Sequence, residues 1–280
     1  MRKREIIIIA AIAAVALLLL TLSAFDVRLR VVSYGISDDR IKTPVRIVLL
    51  TDLHSCRYGK EQGELLDVID AQKPDIILLG GDIFDDDLPN ENTIMVLTHL
   101  ANLYPCFYVS GNHEYWNANT EELFDTVRAL NISILHGTCE TVSFGQTRLN
   151  ICGIADPDGE THEPITASME DQLRKARDAE EKECFTILLA HRPERIESYA
   201  KYGFDLVLSG HAHGGQIRIP GIINGFFSPG EGWFPKYTGG EYEIGDTRMI
   251  VSRGLSREST RVPRIWNRPE LVVIDLAGTN

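Results

Sequence analysis

His211 and His213 stand one residue apart in the stretch LSGHAHGGQ, residues 208–216, among Gly210, Gly214 and Gly215. The glycines mark a backbone that turns sharply or passes close to another group, and the two imidazoles converge on one object. The same chemistry recurs after other short apolar runs. Asp52 and His54 follow residues 46–51, Asp82 follows 75–79, Asn112, His113 and Glu114 follow 106–110, and His191 follows 185–190. Five of the eight histidines fall at such ends, leaving only His99, His136 and His162 elsewhere. A lone histidine after a strand is ordinarily a satisfied surface or core residue, whereas five sorted in this way read as ligands. Alternate residues of an extended segment point the same way, so Asp52 and His54 are expected to address one ion. Oxygen and nitrogen donors without thiolate suit manganese, iron or zinc better than calcium, magnesium or a structural zinc. The donors are too many for one ion, and an aspartate between two groups is placed to bridge a pair about 3.5–4 Å apart.

Such donors need a scaffold that brings distant segments together. Residues 46–51, 75–79 and 106–110 are apolar runs of strand length, separated by helical patterns over 61–72 and 91–103. This alternation predicts parallel strands with helices packed outside. Residues 132–154 read as β-rich, with Phe144-Gly145-Gln146-Thr147 as a hairpin turn. A polar, helix-compatible stretch runs to about Lys182, and strands return at 185–190, 206–209, 247–252 and 271–274. The expected class is α/β, a two-sheet core flanked by helices, with ligands at the carboxyl ends of the strands.

A chain of 280 residues with 44% hydrophobic and 24% charged residues fits one domain with a sizeable core and excludes disorder or repeat architectures. The net charge of −12 argues against nucleic-acid binding, and a cation site would account for part of it. Cys56, Cys106, Cys139, Cys152 and Cys184 are scattered without a paired motif. They read as small buried residues rather than a disulfide framework. From Ile6 to Phe25 the chain carries no charge, and these 20 residues would span about 30 Å as a helix. Arg2, Lys3 and Arg4 precede it, the pattern of a single-pass anchor with its domain outside the cytoplasm, although Arg28, Arg30, Arg40 and Lys42 blur the asymmetry. A cleaved signal peptide is the competing reading, for Leu22-Ser23-Ala24 offers small residues without a clear cleavage pattern. The expected organisation is a membrane anchor over 1–25, a stalk and first strand over 26–44, and a catalytic domain over 45–280.

Asp52-x-His54, Gly81-Asp82, Gly111-Asn112-His113-Glu114, His191 and Gly210-His211-x-His213 match, in order and spacing, the five motifs of the calcineurin-like metallophosphoesterases. The chain resembles that family from Val45 to its carboxyl terminus. The segments 191–194 (HRPE), 214–216 (GGQ) and 251–255 (VSRGL) are similar to its membrane-associated bacterial branch, which includes YkuE- and YaeI-type phosphodiesterases and a UDP-2,3-diacylglucosamine hydrolase. The resemblance implies a four-layer fold of two sheets between helices and two divalent metal ions, manganese ahead of iron or zinc. It implies that Asp52, His54, Asp82 and His213 hold the first ion and that Asp82, Asn112, His191 and His211 hold the second, with Asp82 as the bridge. His113 matches the family histidine that binds no metal and protonates the leaving oxygen or steadies the phosphoryl charge. Where many relatives have a small residue after the first motif, this chain has Ser55-Cys56-Arg57, so the substrate contacts there are its own.

The reaction then expected is hydrolysis of a phosphodiester or pyrophosphate by metal-activated hydroxide, with His113 as general acid. An anchored enzyme would meet a lipid-linked or nucleotide-lipid ester at the membrane. The alternatives are a soluble nucleotide or cell-wall polymer as substrate, or a non-catalytic metal-binding scaffold. The aromatic segment 226–242, FFSPGEGWFPKYTGGEY, either closes the core under an irregular loop or walls a site for acyl chains. Arg253 and Arg257 are either phosphate contacts or ordinary solvated arginines. Of Asp85, Asp86 and Asp87, two are expected to be solvated loop charges.

Overall fold

A computed structural model describes residues 3–161, 167–257 and 262–279; Arg2 and His162 lie outside the described residues. The uncharged stretch forms α1 (Lys3–Ala24), long and apolar enough to cross a membrane. Its side chains face outward on all sides, and only Ala24 is buried. After it come β1 (Arg30–Ser37), β2 (Val45–Leu50), α2 (Gly63–Gln72), β3 (Ile76–Gly80), α3 (Glu91–Leu103) and β4 (Cys106–Val109). α4 (Asn112–Trp116) and α5 (Thr120–Ala129) fill an interval that no sequence pattern claimed, before β5 (Ser133–Ile134). The second half holds β6 (Thr138–Phe144), β7 (Thr147–Gly153), α6 (Met169–Asp178), β8 (Phe185–Leu189), α7 (Ile196–Ala200) and β9 (Leu206–Ser209). A short hairpin of β10 (Phe227–Ser228) and β11 (Gly232–Trp233) precedes β12 (Gly240–Ile244), β13 (Thr247–Val251) and β14 (Glu270–Ala277).

These strands make two six-stranded sheets, ordered β1-β14-β2-β3-β4-β5 and β12-β13-β9-β8-β7-β6. The alternating segments pair in parallel, β2 with β3, β3 with β4, β7 with β8 and β8 with β9. The predicted hairpin at 144–147 joins antiparallel β6 and β7. Ile47, Leu49, Ile76, Leu78 and Val109 of one sheet meet Ile151, Ile187, Leu189 and Leu208 of the other in a fully buried interface. On the outer faces Val48, Leu50 and Leu79 pack on α2 and α3 through Leu65, Ile69, Val96 and Leu100. Leu188, Val207 and Met249 pack on α6 and α7 through Leu173, Ala176, Ile196 and Tyr199. Strands buried on both faces require continuous apolar runs rather than alternation, which is how these segments read. The result is four layers, helices outside and two sheets within.

Register aligns the strand ends. Leu50 pairs with Leu79 and Gly80 with Val109, while Leu189 pairs with Leu208 and Ser209 with Val251. The residues that follow β2, β3, β4, β8 and β9 therefore emerge at one rim of the sandwich.

The cysteine expectation needs correction. Cys139 and Cys152 are direct partners across β6 and β7, with Cα atoms 3.9 Å apart, and form a disulfide. A closely spaced antiparallel pair of this kind needs no sequence motif, which is why spacing along the chain gave no sign of it. Cys56, Cys106 and Cys184 are buried and outside any disulfide.

Candidate metal centre

Seven of the residues singled out as ligands occupy this rim, all of them buried. One atom from each of Asp52, His54, Asp82 and His213 lies within 4.8 Å of the others, and so does one from each of Asp82, His191 and His211. Asp82 is common to both groups. Its Oδ2 is 3.1 Å from His191 Nε2 and 3.5 Å from His54 Nε2, without the alignment of a hydrogen bond. Asp52 Oδ1 lies 3.8 Å from His213 Nε2 and 4.0 Å from His191 Nε2. Asn112 opens α4, whose next residue donates its amide to Asp82 Oδ1 at 2.9 Å.

The backbone at these positions differs from the extended one expected. Asp52, His54, Asp82, His211 and His213 all have positive φ, between 46° and 64°. The chain leaves β2, β3 and β9 through left-handed turns, so these side chains converge by turning rather than by β-alternation. Such residues carry roughly 1–2 kcal/mol of strain each. Hydrogen bonds between the turns hold them, from Asp52 N to Gly81 O and His54 N to Asp82 O at 3.0 Å, and from His211 N to Asp52 Oδ1 at 2.9 Å. Gly210 is needed for close approach, because a Cβ there would stand 2.5 Å from Asp52 Oδ2.

Three of the four imidazoles in these groups are oriented through their second nitrogen. His191 Nδ1 bonds Gly80 O at 2.8 Å, His213 Nδ1 bonds Ser256 Oγ at 3.0 Å, and His54 Nδ1 bonds Asp85 Oδ2 at 3.0 Å. In all three the Nε2 faces the cage, the arrangement by which ligating histidines are fixed. His113 stands beside it, its ring centroid 4.3 Å from that of His54 and its Nδ1 2.5 Å from Asp86 Oδ1.

Asp52 Oδ2, His54 Nε2, Asp82 Oδ2, Asn112 Oδ1, His191 Nε2 and His211 Nε2 are buried and without a hydrogen-bond partner. Orphaned polar atoms are costly one at a time, and six at one rim are a set that cations could satisfy together. Charge points the same way. Burial pushes Asp52 up, whereas at Asp82 the imidazoles of His191, His113 and His54 outweigh burial and hold the carboxyl well below the usual range. Against its own burial, His191 is lifted to about 10 by Asp82 and Asp52, while burial and neighbouring cations push His211 and His213 well below the ordinary histidine range. A proton on His191 meets part of a demand for positive charge that dications would meet in full. The buried His/Asp cluster could hold two metal ions.

The roles of the supporting residues escaped the sequence. Glu114 accepts from the amides of Asp82, Ile83, Phe84 and Gly111 and from the Tyr108 hydroxyl, so one carboxylate ties two motif turns together. Its place three residues after Gly111 is the spacing of a capping box, a sign available beforehand. Arg192 clamps the loop after His191 by a bidentate bond to Asp156. Contrary to expectation, only Asp87 of the three loop aspartates is exposed, since Asp85 is buried on His54 and Asp86 is half-buried against His113. Arg257 stacks on Tyr58, its Cζ 4.0 Å from the ring centroid, and Arg253 turns toward Glu270. Neither arginine reaches the cage.

The aromatic segment is divided: Tyr237 and Tyr242 pack into the core under the second sheet, whereas its first half stays outside. Trp233 and Phe234 are 66% and 64% exposed, and they edge onto Phe226 with centroids 5.0 and 5.4 Å away. The tip of this hairpin approaches the cage, for a Cβ on Gly230 would lie 3.6 Å from His211 Nε2.

The profile of the calcineurin-like phosphoesterase family matches residues 45–215. The chain is 30% identical over 261 residues to a metallophosphoesterase of Aquifex aeolicus, covering 89% of this chain and 92% of that one. It is 29% identical over 240 residues to phosphodiesterase YaeI of Escherichia coli, covering 83% and 82% respectively. A metallophosphoesterase of Helicobacter pylori is 32% identical over 183 residues, and the match spans about half of that protein, 47%. Among solved structures, Haemophilus influenzae NAD nucleotidase shares the fold with a TM-score of 0.53 at 13% identity, over 77% of this chain and 46% of that one. TT1561 of Thermus thermophilus superposes with a TM-score of 0.52 at 13% identity, over 77% and 92%.

Proposed function

Given that the chain belongs to the calcineurin-like phosphoesterase family, we propose that it is a membrane-anchored phosphodiesterase that cleaves a phosphodiester or pyrophosphate of a lipid-linked substrate. The observation that carries the hydrolytic reading is the gathering of six orphaned N and O atoms, Asp82 Oδ2 among them, at one rim. Asp52, His54, Asp82 and His213 would hold one ion and Asp82, Asn112, His191 and His211 the other. Manganese, iron and zinc suit that donor set. Such a pair would polarise phosphoryl oxygens and lower the pKa of water at the site.

The chain's own residues do the remainder. His113 donates a proton from Nε2 to the leaving oxygen, while Asp86 accepts from Nδ1 and fixes the ring. Glu114 and Gly210 keep Asp82 and Asp52 in place through the contacts above, so the cage is organised before substrate arrives.

Three features support the lipid and membrane assignment. α1 is long and apolar enough to span, the exposed Trp233 and Phe234 edge onto half-buried Phe226 in the hairpin whose tip approaches His211, and their rings suit acyl chains. Lys3 and Arg4 precede the span and the Cys139–Cys152 disulfide suits an oxidising compartment, which together favour a domain outside the cytoplasm. We accordingly divide the chain into an anchor (1–25), a connecting segment with the first strand (26–44) and the catalytic domain (45–280).

The test is metal content together with turnover on paired substrates. Full-length protein should bind two equivalents of transition metal, show manganese-stimulated hydrolysis of bis(4-nitrophenyl) phosphate, and prefer an acylated UDP-sugar over its deacylated form. No metal and no hydrolysis would remove the enzymatic reading. Equal rates on the two sugars would remove the lipid assignment alone.

A further inference from the structure

A second polar cavity lies where the first helix meets the sandwich. It has a volume of about 510 Å3 and is lined by Arg30, Arg218, Arg253, Trp266 and the loop that carries Ile222. Trp266 donates its amide to Ala24 O at 2.7 Å, so the cavity adjoins the last turn of α1. Its lip carries Ile222, 80% exposed, and Phe25 at the end of the helix is 52% exposed.

The three guanidiniums are under-compensated. Arg218 is buried and donates only to neutral acceptors, Gly214 O, Thr238 Oγ1 and Asn224 Oδ1. Glu270 is the carboxylate that Arg30 and Arg253 share, at 2.5 Å from Arg30 Nη2 and 3.6 Å from Arg253 Nε. Among the described residues no other carboxylate pairs with any of the three. The Nε atoms of Arg30 and Arg253 are buried without a hydrogen-bond partner. Burial and the neighbouring Arg253 pull Arg218 down to about 10, the sign of a cation lacking its counter-charge. Three arginines against one carboxylate leave an excess of positive charge in a cavity, and planar forks with unused donors match phosphate oxygens.

The geometry points to this cavity as a binding site for a phosphate group, supplied by the headgroup of an anionic phospholipid beside the anchor. It is distinct from the metal cage: Arg218 touches the backbone of Gly214, just after His213, but none of the three arginines bonds a side chain of the cage. Occupancy would seat the domain on the membrane surface with the apolar lip of Ile222 and Phe25 toward the acyl region. The phosphate site itself does not depend on the hydrolytic reading. Only the choice of a lipid as its source rests on α1 being a span.

The experiment uses the full-length protein in neutral detergent, titrated calorimetrically with dihexanoyl phosphatidylglycerol and, separately, with inorganic phosphate, each before and after chelation of metal. One phosphatidylglycerol per chain is expected to bind whether or not metal is present. Arg30→Gln and Arg253→Gln should each weaken it by about tenfold, the worth of a charge-assisted hydrogen bond. Arg30→Lys, which keeps the charge on a partly exposed strand end, should fold and retain most of the affinity even if a Gln variant does not. Binding of inorganic phosphate alone, with the same dependence on the arginines, would overturn the lipid source and leave the pocket. Binding that disappears on chelation belongs to the metal cage, and binding indifferent to Arg30 and Arg253 lies elsewhere. Either result, or no binding at all, overturns the site while leaving the phosphodiesterase reading untouched.

Discussion

The two walls of the candidate metal cage differ in what stands behind their imidazoles. On the wall formed by the ends of β2, β3 and β4, imidazoles lean on carboxylates, His54 on Asp85 and His113 on Asp86, and the turns hang from Glu114. On the wall formed by β8 and β9, imidazoles lean on neutral oxygens, His191 on Gly80 O and His213 on Ser256 Oγ. A carboxylate partner makes an imidazole more basic and a stronger donor to a cation, whereas a carbonyl or hydroxyl mainly fixes its orientation. Negative charge is thus concentrated in one wall, and the other contributes geometry. Asp82 belongs to the charged wall yet touches both, so the asymmetry predicts a ranking of defects.

Asp82→Asn should be the most damaging, because it removes the charge both ions would share. Turnover on bis(4-nitrophenyl) phosphate is expected to fall by about 10³-fold or more, with metal content well below two equivalents by elemental analysis. Full metal content in this variant would break the bridging role. Next comes His113→Ala, expected to lower turnover by ~10²-fold with metal content intact, since its place is beside the cage. Unchanged turnover would move the proton donor elsewhere. The comparison itself is sharpened by a matched pair, in which Asp85→Asn takes the support from His54 and Ser256→Ala takes it from His213. Manganese affinity should fall by roughly 10- to 100-fold in the first and only about 3-fold in the second. Equal losses would mean that the walls are not electrostatically different.

Much of this architecture could be read in advance, and the boundary of what could be read is physical. The strand bodies were legible because burial on both faces demands unbroken apolar runs such as IILL at 76–79. The donors were legible because five runs each stop at a carboxylate, amide or imidazole. Their approach was not, because Asp and His tolerate positive φ but take it at Asp52 or His213 only where neighbouring turns impose it. Asp85 and Asp86 look like any acidic loop until His54 and His113 are folded against them. Ser256 lies 43 residues from the His213 it supports. The Cys139–Cys152 bond depends on hairpin register, which spacing along the chain does not reveal.

The smallest expected effect concerns the segment that joins the two sheets. His136 lies between β5 of the first sheet and β6 of the second, its ring edge-on to Phe124 with centroids 5.3 Å apart. Burial, with a contribution from Arg128, pushes it down from 6.5 to about 4. In the folded protein this ring stays neutral until about pH 4, whereas in the unfolded chain it takes up a proton near 6.5. The unfolded state therefore binds more protons between those values. The contribution is fully present above pH 6.5 and is lost as the pH falls toward 4. Its size is on the order of 1–3 kcal/mol. His136→Gln removes the titration without touching either wall, so chemical denaturation of wild type and variant should converge on acidification across that window. Parallel pH profiles would show that the crossing between the sheets is indifferent to the charge of His136. The acid sensitivity of the fold would then come from the histidines of the cage.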